Sequence, residues 1–253
     1  MSNGYYRYRG AGFGIPEGIK YLLIWNAIIF VLQQILHNGF GPIAQLPVEL
    51  RSGAQMVTRI YPVDSLETLF GTVPALFWQH GFVWQIATYM FLHGGFFHIL
   101  FNMFILWMFG SDLERVWGTR RFISFYFFCG IGAGLVNVLV TPHAFIPTIG
   151  ASGAIYGVLL GYALYFPERQ VFLYFLIPVP VRVFVIVLGV IELVSSLSAS
   201  GGNISHVTHL GGLAFAWIYL RGLGRGGFLN RLRGRRRGPR VIDFTRDRDP
   251  WGS

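Results

Sequence analysis

Six apolar stretches follow one another along this 253-residue chain with no long polar insertion, and they read as membrane-spanning helices. A helix rises about 1.5 Å per residue, so about 20 residues are needed to cross the hydrocarbon. The first stretch runs near Lys20 to Leu36. The second runs from Gly95 to Ser111 and ends at Asp112, Glu114 and Arg115. The third begins after Arg120-Arg121 and reaches Val140, where Pro142 stops it. The fourth begins at Ser152 and is stopped by Pro167, the fifth spans Val181 to Ser198, and the sixth spans Ile204 to Leu220. The expected fold is an all-α membrane protein, a six-transmembrane-helix bundle over residues 20–222. A cytoplasmic N-terminal segment, 1–19, precedes it and an Arg-rich cytoplasmic tail, 223–253, follows.

The solvent implied by the composition is lipid. Charged residues make up 12% of the chain and hydrophobic ones 53%, whereas a soluble domain carries about 25% charged residues. Mean hydropathy is +0.52. A single cysteine, Cys129, excludes an internal disulfide. No signal peptide is expected, because the first apolar stretch is flanked by Arg7, Arg9 and Lys20 without a convincing cleavage site.

Positive charge sets the expected orientation. With six spans, Lys20 and the N-terminal arginines, the Arg115–Arg121 turn, Arg169 with Arg182, and the Arg-rich tail fall on one side. Only Arg51 and Arg59, in the first loop, carry much positive charge on the other. The positive-inside rule then makes both termini cytoplasmic, and a bacterial inner membrane is the expected location.

Polar side chains inside such spans are costly and need a reason. His98 and Asn102 lie one and two turns into the second span on one face. His209 lies roughly 8 Å into the sixth on the helical rise. The fourth span has 15 residues from Ser152 to Phe166, about 22 Å against a hydrocarbon layer of about 30 Å. Seated at the cytoplasmic interface, it starts Ser152 about 8 Å beneath the outer one. The four polar residues therefore converge on one depth.

Gly150 before Ser152 permits a tight turn and leaves helix-start N–H groups beside the hydroxyl, where an oxyanion accepts. Gly153, Gly157 and Gly161 form a stripe that, taken alone, means only close helix packing. Tyr156 shares the Ser152 face and can pack on an imidazole, although core packing is the commoner role at that spacing. Taken singly, Ser152 reads as an N-cap and His209 or Asn102 as an interhelical hydrogen-bonding group. Glu192 is the odd carboxylate of the fifth span. It could orient a histidine, but the sequence does not place it. The loop Ala199–Asn203 reads equally as a lid or as a flexible connector. Arg231–Arg240 reads as an anchor to anionic lipid, with no nucleic-acid partner expected.

His98-Ile99-Leu100-Phe101-Asn102, Gly150-Ala151-Ser152-Gly153 with Tyr156, and His209-Leu210-Gly211-Gly212 resemble the three signatures of the rhomboid intramembrane serine proteases. The likeness runs from Trp84 to Ala216. It implies a rhomboid-like bundle and a serine endopeptidase that uses a Ser152–His209 dyad, without metal or other cofactor, to cut transmembrane protein substrates. It further implies an oxyanion hole of His98, Asn102 and the Ser152 main-chain N–H, with Tyr156 stacked on the base. Trp84 matches the family's loop Trp, but Gln85 stands where the family has Arg, which puts anchoring of that loop in question. Ala216 replaces a Gly of the sixth-span pattern, a packing detail. The alternative is a proteolytically inactive rhomboid-like binding factor, which normally lacks the nucleophile or the base. A small transporter fits less well, having only Glu192 to suggest a charged midplane site.

Overall fold

The computed structural model describes residues 14–36, 43–52, 55–173, 176–197 and 203–222. The Arg231–Arg240 cluster and most of the Ala199–Asn203 loop lie outside them. Helix α1 (Glu17–Ile35) is followed by a hairpin of β1 (Ala44–Ser52) and β2 (Gln55–Val63), paired antiparallel from Ala44↔Val63 to Ser52↔Gln55. Three short helices come next: α2 (Leu66–Phe70), α3 (Pro74–His80) and α4 (Gln85–Thr88), the last running into a single 3-10 turn, Tyr89–Phe91. Then α5 (Phe96–Ile105), a π-turn (Leu106–Gly110) and α6 (Ser111–Trp117) run on as one rod. After it come α7 (Thr119–Val140), α8 (Ser152–Tyr165), a small hairpin of β3 (Gln170–Leu173) and β4 (Ile177–Pro180), α9 (Val181–Leu197) and α10 (Asn203–Gly222).

Each of the six expected spans coincides with a helix. Three are long and apolar enough to cross a membrane by length and composition: Glu17–Ile35, Phe96–Trp117 and Thr119–Val140. Ser152–Tyr165 is apolar but shorter, 14 residues, as the fourth stretch predicts.

One expectation needs correction. The second span does not end at Ser111; the rod continues to Trp117 because its charges are satisfied there. Asp112 pairs with Arg115 at 3.3 Å and contacts Arg169. Glu114, only 2% exposed, accepts from the N–H groups of Gly18 and Ile19, each at 2.8 Å, and from the Thr119 hydroxyl at 2.6 Å. It thereby caps α1, whose first-turn N–H groups have no intrahelical acceptor. The first loop carries structure not anticipated from the sequence. Its β1–β2 hairpin buries Val48 and Val63 against Val73, Ala75 and Leu76, a small core of its own.

Gln85 resolves the question its substitution raised. It is fully buried, accepts from the Val73 N–H at 3.0 Å and donates to the Thr68 carbonyl at 3.0 Å, while Trp84 Nε1 donates to the Leu69 carbonyl at 2.9 Å. An uncharged amide therefore ties the loop through both its donor and its acceptor. Gln85→Ala leaves both backbone groups buried and unpaired, at about 1–3 kcal/mol for each. Thermal unfolding of the variant in detergent is expected well below that of the wild type; an unchanged midpoint removes Gln85 from loop anchoring.

Helix α8 occupies the centre, packed by α7, α9, α10 and the π-turn of the α5–α6 rod. Its glycine stripe makes that possible. A methyl group at Gly153 would stand 2.8 Å from Ala133 Cβ, one at Gly157 2.7 Å from Cys129 Cβ, and one at Gly161 3.3 Å from Phe125 Cζ. The stripe thus runs down α7 one turn at a time, and Gly212 of α10 meets the Gly153 carbonyl on the flank. In lipid, where apolar contact carries no solvent-driven advantage, such backbone approach is what holds helices together.

Candidate active site

The loop that leads into α8 is fixed before it reaches the serine. Thr72 and Thr148 exchange two backbone hydrogen bonds of 2.9 Å, Asn137 donates to the Thr148 hydroxyl at 2.9 Å, and the Gly150 N–H donates to the Tyr89 carbonyl at 2.9 Å. Gly150 then turns with φ at +126°, and an added Cβ there would stand 2.8 Å from His98 Nε2. That position needs glycine both for its backbone and for its space.

Ser152 is the first residue of α8, not its cap; Ala151 is the cap and offers no side-chain hydrogen bond. The serine hydroxyl instead lies 2.8 Å from Nε2 of His209. The Tyr156 ring stacks on that imidazole at 4.3 Å between centroids and 13° between planes. His209 Nδ1 is 3.1 Å from Glu192 Oε1. A carboxylate can only accept there, so this contact favours the neutral tautomer with its proton on Nδ1, which turns the Nε2 lone pair toward the serine.

His98 holds the complementary state. Its Nδ1 accepts from the Gly94 N–H at 3.2 Å, which leaves the ring proton on Nε2, the atom nearest Gly150. His93, in the preceding loop, packs its ring 5.1 Å from that of His98. Burial, together with His98, pushes the His93 imidazole down to about 4, so it stays neutral beside the site. Asn102 is buried and donates to the His98 carbonyl at 2.9 Å. An amide nitrogen carries two protons, so one remains after that bond.

His98, Asn102, Ser152, Tyr156 and His209 line one cavity of about 560 Å³. Its remaining wall is mostly apolar, with Phe97, Phe101 and Met108 on the second-span side and Phe184 and Leu188 from α9. The convergence expected from helix depth is thus a shared wall. Sequence reasoning left Glu192 unplaced. The structure puts it against His209, against His206 Nδ1 at 2.6 Å, and under the Tyr156 hydroxyl. The ligand atoms of Glu192, His206 and His209 lie within 4.8 Å of one another. Their close approaches are all nitrogen to oxygen, at 2.6 Å from His206 Nδ1 and 3.1 Å from His209 Nδ1, so the group reads as one carboxylate set between two imidazoles. His206 itself faces Glu192 and has no contact with Ser152 among the described hydrogen bonds.

A Rhomboid domain matches residues 80–226. The chain is 34% identical over 143 residues to the rhomboid protease GluP of Bacillus subtilis, covering 56% of this chain and 26% of that protein. It is 31% identical over 134 residues to the mitochondrial rhomboid protein 1 of Saccharomyces cerevisiae, covering 51% and 38%. Over 116 residues it is 34% identical to the putative rhomboid protease YdcA of Bacillus subtilis, covering 40% and 58%. The chain therefore spans between about a quarter and three-fifths of the length of these relatives. The protein belongs to the rhomboid family and is an integral membrane protein.

Proposed function

We propose that this protein is an intramembrane serine endopeptidase that hydrolyses peptide bonds in or beside the transmembrane helices of membrane-protein substrates. The observation that carries the reading is the 2.8 Å contact between Ser152 Oγ and His209 Nε2 at the wall of a cavity between the second-span rod and α9. His209 takes the hydroxyl proton as Oγ attacks the carbonyl, and returns it to the leaving amine when the acyl-enzyme forms; water then repeats the cycle on the ester. The developing oxyanion is received by the first-turn N–H of Ser152, His98 Nε2–H and the second Asn102 amide proton. A substrate helix has its carbonyls engaged, so it unwinds locally before attack, and helix-breaking residues favour cleavage. Relatives named as proteases support the activity. In this reading six helices cross a bacterial inner membrane with both termini cytoplasmic, and the Arg-rich tail binds anionic lipid.

The test is incubation of the purified full chain with a panel of transmembrane helices. Cleavage by the wild type and none by Ser152→Ala is expected; cleavage by both sinks the reading. Asn102→Ala is expected to lower kcat by roughly 10- to 1,000-fold with KM little changed. If Asn102 only joins helices, its loss shows instead as about 1 kcal/mol of stability with normal turnover. Single-turnover cleavage and thermal unfolding on one preparation separate the two.

A further inference from the structure

Glu192 stands in an otherwise apolar run, Val190-Ile191-Glu192-Leu193-Val194, and is 6% exposed. An ionisable group in a membrane helix is retained for a partner or a task. One partner would suffice to bridge two helices, yet this carboxylate has three. Oε2 lies 2.6 Å from His206 Nδ1, while Oε1 lies 3.1 Å from His209 Nδ1 and accepts the Tyr156 hydroxyl. The tyrosine and His206 hold the carboxylate from two helices, α8 and α10, and so fix the oxygen that faces the base. That oxygen lies off the line of a straight Nδ1–H bond to His209. Such contacts in resting sites tighten when the ring takes up charge.

We propose that Glu192 is a positioning residue for the base: it holds the Nδ1–H of His209 so that Nε2 presents its lone pair to Ser152, and it faces the imidazolium that forms. The proposal rests on the protease reading above. As Oγ bonds to the substrate carbonyl carbon, its proton passes to Nε2, and the ring, now protonated on both nitrogens, sits against the carboxylate. Breaking of the C–N bond returns that proton from Nε2 to the amine. Glu192 neither gains nor loses a proton. The other groups that face His209 are Ser152 and Tyr156 from α8, His206 on its own helix and His98 from α5, and none of these is anionic. The carboxylate alone among them offsets the positive charge, and a third member joins the Ser–His pair through a fifth helix.

The experiment compares the full-length wild type with Glu192→Gln, Glu192→Asp and Ser152→Ala, using a transmembrane-helix substrate cleaved by the wild type. A glutamine cannot accept from both imidazoles with one oxygen and a donating amide. Glu192→Gln is therefore expected to lower kcat by about 10- to 100-fold, with KM near the wild-type value, and Glu192→Asp to recover part of it. Nitrogen-15 NMR of histidine-labelled wild type is expected to show the neutral His209 protonated on Nδ1. That measurement needs no Glu192 variant to fold. Full kcat in Glu192→Gln, or a wild-type His209 protonated on Nε2, overturns the role of Glu192. Cleavage retained by Ser152→Ala overturns the protease reading and this proposal together. A dead Ser152→Ala beside a fully active Glu192→Gln overturns the proposal alone.

Discussion

Under the protease reading proposed above, Ser152→Ala, His209→Ala and the double variant are all expected to lose cleavage to the same extent, roughly 10,000-fold or more, because a nucleophile and its base act as a unit and the second substitution removes nothing that still works. All three are expected to remain folded. Ser152 is half-buried at a helix start, where alanine is tolerated, and the close backbone approach of α8 to α10 at Gly153 and Gly212 does not depend on either side chain. Single-turnover cleavage in detergent, with thermal unfolding as control, reads both quantities. Additive losses would mean that the residues act separately. His206→Ala is expected to cost far less than His209→Ala, since it touches the carboxylate and not the serine. The reverse ranking would make His206 the base.

Gly150→Ala has the second largest expected effect, about 100-fold in kcat, and the cause is displacement and not unfolding. The new methyl would stand 2.8 Å from His98 Nε2 and 3.7 Å from Ser152 Oγ, so the imidazole must give way on the side of the proposed oxyanion site. A misplacement of about 1 Å at such a point costs about 100-fold in rate. The backbone adds strain, since φ at this residue is +126°. Gly81→Ala separates strain from displacement: φ is +72° there, and nothing lies within 4 Å of the added carbon. It should lose stability but keep the turnover of its folded fraction. Equal kcat losses in the two variants would refute a local role for Gly150.

Much of the site was legible because helical periodicity does the placing. His98 with Asn102 and Ser152 with Tyr156 share faces at four-residue spacing, and the short fourth helix sets the depth of the serine. The placement of Glu192 was not legible, because its partners lie 36, 14 and 17 residues away on other helices and only packing brings them together. Glu114 misled for the opposite reason. A cluster of charges reads as a helix end, and nothing local shows that its carboxylate is used up by the start of a helix 95 residues earlier. The β1–β2 hairpin was open to view: Leu46, Val48 and Leu50 alternate with Gln45, Glu49 and Arg51. A reading tuned to stretches of about 20 residues passes over a nine-residue strand.

The cap that Glu114 places on α1 also orders events in time. Until the second-span rod arrives, Gly18 and Ile19 lack the acceptor that Glu114 supplies, and the carboxylate has only the Thr119 hydroxyl of the three donors described, whereas in a bilayer an unpaired N–H is expensive. Neither segment is therefore finished alone. The start of the first helix is completed by a glutamate 95 residues later, so final seating of these two segments in the bilayer is expected to be a joint step and not two independent ones.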